Sequence, residues 1–453
     1  MSNESLTAYS WKRYPETAAF LFQRITGFCK RSALIQEFAD QLQLKTGTRL
    51  LDWVDHLELK WSDALQQQLI ELGYVAVKGA KAHLLLHPEG MFPAIQASDS
   101  DVERIFVRVE SVADFLTIHQ CELELPITGE IGSAVRQRVV INENGLELHV
   151  IERHGAPISA VLPDADVRLL LKHAEAFQLR KRDFDDDVAG FAEAEILIKA
   201  AIDDLGVDRT CDLFFAAERD YWQQRNAVAR IQKARQDSMG MGWANHDHHT
   251  FRSSRPHFWR LISVLELLGF ELRERFYAGR EAGWGAQVLE QPAARVVIFA
   301  DVDLSPEEVS QDFAHEPLPE LKQLGTVGLW CRLHGEAFLQ AGMHHLECQF
   351  DFDAARQQLS EENSVKTMKP FTDLPHLKQA FTAGEIWPVE ESRIQSLLED
   401  GLINEEAAER FRLQGAIGSH LEILQREEGF KGFNQTGINE IILETNPLKQ
   451  QQK

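Results

Sequence analysis

The spacing of apolar residues along this chain changes period several times, and the changes repeat. Residues 1–45 carry apolar positions at three- and four-residue intervals (AAFLFQRITGFCKRSALIQEFADQLQ), which predicts amphipathic helix. From residue 50 the pattern becomes strand, helix, strand. LLDWVDHLELKW reads as a strand, SDALQQQLIELG has helical spacing, and YVAVKG and AHLLLHPEG are short strands. The cycle restarts with ERIFVRVE as a strand and SVADFLTIHQ as a helix, and QRVVINENGLELHVIERHG reads as a hairpin turning at Asn142-Glu143-Asn144-Gly145. Residues 164–238 are helical throughout, with almost no Gly or Pro, until MGMGWAN at 239–245 breaks them.

The first pattern then returns. NHDHHTFRSS is a strand, PHFWRLISVLELLG a helix, and FELRERFYAG, WGAQVLEQP and ARVVIFADVDL are strands. A fourth unit opens at Gly342–Phe350, is interrupted by a mostly helical insertion at about 355–415, and resumes at Ser419–Arg426. The chain therefore reads as α+β, with tandem paired βαβββ modules joined by a helical segment. The expected divisions are an N-terminal helical segment (1–45), a first module pair (46–163), a helical linker (164–240) and a second module pair (241–453).

A length of 453 residues suits two domains, and 44% hydrophobic with 26% charged residues describes a soluble globular chain. No run of 18 apolar residues occurs and the first 20 residues lack the apolar stretch of a signal peptide, so the expected location is cytoplasmic. Cys29, Cys121, Cys211, Cys331 and Cys348 are scattered and odd in number, which fits reduced thiols and argues against a disulfide scaffold or a zinc ribbon. A net charge of −23 argues against nucleic acid and anionic membranes as partners. It leaves a small acidic substrate open, because one local arginine can override the global field. Nothing here sets the oligomeric state.

Candidate chemistry concentrates at Asn245-His246-Asp247-His248-His249-Thr250-Phe251-Arg252, which is partly echoed at Trp53-Val54-Asp55-His56-Leu57-Glu58-Leu59-Lys60. Both have the form Asp-His-x-x-x-(Lys/Arg). Alternation along a strand puts His248, Thr250 and Arg252 on one face and His249 and Phe251 on the other. A histidine and a guanidinium two pleats apart can hold a metal and a substrate carboxylate side by side. The competing reading is a polar strand face with a chance histidine cluster. No GxSxG, HExxH or GxGxxG motif is present.

Paired βαβββ modules with a histidine on the first strand and a glutamate on the last resemble the vicinal oxygen chelate superfamily, whose members are glyoxalase-like half-barrels. Within it, residues 243–446 are similar to the 2-oxoadipate dioxygenase/decarboxylase (hydroxyglutarate synthase) family. Asp247-His248-x-x-x-Arg252 resembles that family's opening strand. Leu289–Pro292 with Val297–Asp301 looks like its central strands, His345 stands where the family has Asn-His, and Leu421–Arg426 followed by Phe430–Phe433 looks like its closing strand. The chain departs from the pattern at Gly283-Trp284-Gly285, where basic residues are expected, at His344, which replaces Asn, and in the long insertion before Glu422.

The resemblance implies a metal held by His248, His345 and Glu422. Two imidazoles and one carboxylate suit iron, Fe(2+), with Mn(2+) or Zn(2+) as competitors. His344 is the rival of His345, and Glu440 and Glu444 are the rivals of Glu422. The implied reaction is oxidative decarboxylation of a 2-oxo acid by dioxygen, with Arg252 gripping a substrate carboxylate. His246 and His249 are expected to flank the ligands and fix their tautomers, or else to be exposed. In the N-terminal copy His56 aligns with His248, Arg104 with His345, and His149 with Glu422. A cation there would be repelled by Arg104, so that copy is expected to hold no metal, the alternative being a separate site of His56, His149 and Glu147. Two other functions share the fold: a binding or regulatory protein, with or without metal, and a metal-dependent isomerase or lyase.

Overall fold

The computed structural model describes residues 11–78, 83–121, 126–158, 162–372 and 374–433. Two amphipathic helices lead, α1 (Pro15–Arg31) and α2 (Ala33–Thr46). Ser32 separates them and caps α2 by accepting from the Ile35 amide. The first module is β1 (Val54–Lys60), α3 (Asp63–Glu71), β2 (Val75–Ala76), β3 (His83–Leu86) and β4 (Ala94–Ser98). The second is β5 (Glu103–Arg108), α4 (Val112–Ile118), β6 (Val135–Glu143) and β7 (Leu146–Arg153). Asn144 and Gly145, at φ 54° and 73°, form the left-handed pair that a two-residue hairpin needs between β6 and β7. The sheet order is β2-β3-β4-β1-β5-β7-β6, with β1 and β5 antiparallel where the modules meet.

Four helices follow, α5 (Val167–Gln178), α6 (Asp187–Leu205), α7 (Val207–Gln224) and α8 (Ala227–Asp237). The second sheet opens with β8 (His246–Arg252), α9 (Phe258–Leu267), β9 (Glu271–Tyr277), β10 (Trp284–Gln291) and β11 (Val296–Asp303). A short α10 (Pro306–Val309) and α11 (Thr326–His334) lead through a tight turn at Ala337–Ala341 into the last module. That module is β12 (His345–Gln349), α12 (Phe352–Asn363), β13 (Leu377–Phe381), β14 (Glu385–Trp387), α13 (Glu391–Glu399), α14 (Glu405–Gln414) and β15 (Ala416–Arg426). The order is β13-β15-β12-β8-β11-β10-β9, with β14 also on β15 and with β8 and β12 antiparallel at the centre.

The segment read as a helical insertion is more mixed than its sequence suggests. Within 355–415, α12 begins directly after β12, as a module helix does, and β13 and β14 line up end to end along the 11-residue β15. Only α13 and α14 are extra. The two strands are short (5 and 3 residues) and lie among charged residues, so no alternation long enough to read reaches the sequence.

Candidate metal centre

β8 runs between β12 and β11, so both its edges are paired, and six of its seven residues are buried. His249 and Phe251 face α7, with rings 5.3 and 6.2 Å from Phe215. The register puts Glu347 of β12 opposite His248 and His345 opposite Thr250, and it pairs Glu347 with Glu422 of β15. Three neighbouring strands thus deliver the predicted residues to one face. One ligand atom from each of His248, His345 and Glu422 lies within 4.8 Å of the other two. Metal–ligand bonds of about 2 Å put adjacent donors about 3 Å apart, and here His345 Nε2 is 3.2 Å and His248 Nε2 4.0 Å from Glu422 Oε2.

The surroundings fix these groups. His248 Nδ1 lies 2.9 Å from Glu347 Oε1 and 3.5 Å from Asp247 Oδ1, which turns Nε2 toward Glu422. Thr250 Oγ1 is 2.8 Å from His345 Nε2. Gln379 of β13 donates to Glu422 Oε1 at 3.0 Å and to Glu347 Oε2 at 3.2 Å. Burial, reinforced by the Glu422 charge, holds the Glu347 carboxyl well above the usual range, and burial also raises Glu422. Burial works against protonation of His248, but the Glu347 charge and the contacts with Asp247 and Glu347 push it up to about 10. His345 moves the other way: burial and the His248 charge hold its imidazole neutral, with a lone pair to offer. Two carboxyl groups exposed by only 0 and 2% lie side by side. Among the described residues His345 Nδ1, Gln379 Oε1 and His420 Nε2 have no hydrogen-bond partner. Crowded buried acids beside a neutral imidazole are a donor set that a divalent cation fits.

Arg252 lies further along the same face, buried, with its guanidinium over the Trp330 ring at 5.6 Å. Asp301 of β11 is its register partner. The Arg252 Nε to Asp301 Oδ2 separation is 3.9 Å, too long for a hydrogen bond, and Nε and Asp301 Oδ1 both lack partners among the described residues. Burial pushes the Asp301 carboxyl up to about 7 against the pull of Arg252, so the arginine charge is only partly cancelled. Phe299 and Phe433 wall His248 at 4.6 and 5.3 Å, and Phe381 lies 5.2 Å from His345.

Not every expectation holds. His246 and His249 do not flank the ligands; they lie on the opposite face, with rings 5.1 Å apart and His249 beside Arg219. The cause is an irregularity in the β8–β12 register next to Asp247, which turns His246 away from the face of His248. His344 bonds the Gly418 carbonyl and stays outside the ligand set. Glu440 and Glu444 fall outside the described residues. Glu347, Gln379 and Asp301 were not singled out by sequence. Glu347 and Asp301 follow from alternation after His345 and Phe299, whereas Gln379 sits in a strand without a readable pattern.

The same irregularity occurs at Asp55 in β1. Asp247 is held by Arg426 through two 2.9 Å contacts, and Asp55 by Arg153 at the matching position and also by Arg295 at 2.8 Å. The copies differ where metal would bind. Arg104, in the place of His345, pairs with Glu58 and Glu147. Phe106, in the place of Glu347, stacks on His56 at 3.9 Å and lies 4.5 Å from His149. Its ring separates the two histidines. Among the described residues, the groupings of possible metal ligands all lie in the C-terminal sheet.

No family model and no curated protein matches the chain. Among solved structures it is similar to a putative glyoxalase superfamily protein from Ralstonia eutropha (12% identity, TM-score 0.32, 57% of this chain and 94% of that one). It is also similar to 4-hydroxymandelate synthase from Streptomyces coelicolor (10%, 0.27, 88% and 98%) and to methylmalonyl-CoA epimerase from Mycobacterium tuberculosis (12%, 0.23, 40% and 88%). Each likeness is remote, and the strand order and the paired modules define the architecture by themselves. The duplicated modules expected from the sequence are present in both sheets. No helix among the described residues is long and apolar enough to cross a membrane.

Proposed function

We propose that this chain is an iron-dependent dioxygenase/decarboxylase acting on a 2-oxo acid. The convergence of His248, His345 and Glu422 on one buried face carries this reading. Bound there, Fe(2+) would supply Lewis acidity and a site for dioxygen. The protein's own groups have separable tasks. Glu347 orients His248, and Gln379 orients Glu422. Phe299, Phe381 and Phe433 keep water from the reacting carbon. Arg252, with Nε unpartnered and the Trp330 ring at its side, grips the substrate carboxylate.

Elemental analysis of the purified protein, followed by an oxygen-electrode screen of 2-oxo acids with added Fe(2+), tests this. The expected result is one iron per chain and oxygen uptake coupled to CO₂ release. Protein that binds no divalent metal at any pH would leave the fold as a binding module. Turnover without oxygen consumption would make it an isomerase or lyase.

A further inference from the structure

A cavity of about 440 Å³, lined by none of the candidate metal ligands, lies where the end of α7, the Ala337–Ala341 turn and the start of α13 meet. Its volume lies in the range of small-molecule sites. Arg225 and Arg393 both line it, above a floor that includes Leu333, Val389 and Trp387.

Both guanidiniums are fixed in place. Arg225 stacks on Trp387 at 4.3 Å and donates through Nη1 to Tyr221 Oη and to the Gln340 carbonyl, each at 2.7 Å. Arg393 donates to the Gln340 side-chain oxygen and to the Arg332 carbonyl. Gln340 therefore sets the spacing of the two cations, and its amide nitrogen also holds Glu390 at 3.3 Å. Glu390 is the single acid of the lining, 3.7 Å from Arg393 Nε. Nε and Nη2 of Arg225 have no partner among the described residues. An apolar floor with the open Nε–Nη2 edge of Arg225, a second fixed guanidinium and surplus positive charge, in a chain of net charge −23, calls for an anion. The wall behind it is made of rings: Trp387 to His334 at 5.3 Å, His334 to Trp330 at 5.5 Å, and Trp330 beneath Arg252. Burial, with Arg225 and Arg393 adding to it, pushes His334 down to about 3, so that ring brings no charge of its own.

We propose that this cavity binds a small organic acid, its carboxylate held by Arg225 and Arg393 and its carbon skeleton against Trp387 and Val389. The site stands apart from the metal centre and does not depend on the reaction proposed there. Succinate is the probe, titrated calorimetrically into full-length protein freed of metal by a chelator. The titration is made in the Arg252→Met background, so that the inner arginine cannot contribute. Saturable binding is expected, weakened roughly 10- to 100-fold by Arg225→Met or Arg393→Met, the loss expected for a charge-assisted bond. Thermal unfolding checks that each variant folds. Arg225→Lys, which keeps the charge without the planar fork, should restore binding in part. The proposal is overturned if succinate does not bind, if it binds equally well to both methionine variants, or if inorganic phosphate binds more tightly than succinate. Because metal is absent throughout, failure of the iron-dependent reaction would leave this result unchanged.

Discussion

Comparing the loss of Asp247 with that of Asp55 separates the scaffold from the chemistry. The Asp247 side chain is 2% exposed and accepts from Arg426 Nε and Nη2, both at 2.9 Å, and from Gln349 Nε2 at 3.1 Å. Asp247→Ala leaves a buried guanidinium with the Phe430 and Gly432 carbonyls, the Phe433 ring and a distant Glu347 at 3.8 Å, and it strands the Gln349 amide. Breaking a buried pair from one side costs about 3–5 kcal/mol, while replacing both partners with apolar groups is often close to neutral. Asp247→Ala should therefore lower stability by about 3–5 kcal/mol, and Asp247→Ala with Arg426→Met should recover at least half of that loss. Asp55→Ala should cost as much or more, because it strands both Arg153 and Arg295. The metal readout divides the two. Asp247 stands 3.5 Å from His248 Nδ1, so its loss should weaken metal binding about 10- to 100-fold. Asp55 lies in the other sheet and should leave metal binding unchanged. Urea unfolding midpoints and a competing chelator measure the two effects. A cost below about 1 kcal/mol for Asp247→Ala, or equal metal loss in both variants, would refute the reasoning.

His248→Ala, His345→Ala and Glu422→Ala should each abolish metal binding in a folded protein, read by elemental analysis; full occupancy in Glu422→Ala would mean the third ligand lies elsewhere. The double variant His56→Ala/His149→Ala should still bind one metal per chain, and any drop in stoichiometry would assign the N-terminal copy a metal role. Arg252→Ala should keep the metal yet lower kcat/KM by roughly 30-fold to several thousand-fold, the equivalent of about 2–5 kcal/mol, with Arg252→Lys recovering part; unchanged kinetics would reduce Arg252 to a structural group. His154, between Asp212 at 3.1 Å and Glu152 at 3.4 Å, is pushed up to about 9 by these acids despite its burial. A raised histidine stabilises fully below its unfolded value of about 6.5 and loses that contribution as pH rises through about 9, so His154→Gln should flatten the stability profile between pH 6.5 and 9.

Sequence made legible what alternation and repetition encode. The duplicated modules, the Asn144-Gly145 hairpin and the shared face of His248, Thr250 and Arg252 all follow from periods of two and 3.6. The meeting of His248, His345 and Glu422 followed from a resemblance, and the register of β8, β12 and β15 supplies its physical cause. What stayed hidden depends on strand pairing and on one irregularity. His246 and His248 lie two apart in the sequence, yet they face opposite ways because the β8–β12 register shifts beside Asp247. Gln379 was hidden because β13 is only five residues long and lies among polar neighbours.

The shifted register also explains why one scaffold serves two unequal sheets. In both, an aspartate at the irregularity on the opening strand reaches an arginine at the end of the closing strand, which ties the two together across the module junction. In the C-terminal sheet that tie also touches the site, with Asp247 3.5 Å from His248 Nδ1 and Arg426 3.8 Å from Glu347. The positions that face the site there hold two imidazoles and two crowded carboxyl groups, whose charge the His248 imidazole offsets in part. In the N-terminal sheet the matching positions hold an arginine balanced by Glu58 and Glu147 and a phenylalanine that stacks on His56 and lies beside His149. The side chains at the facing positions, more than the fold, distinguish the two halves.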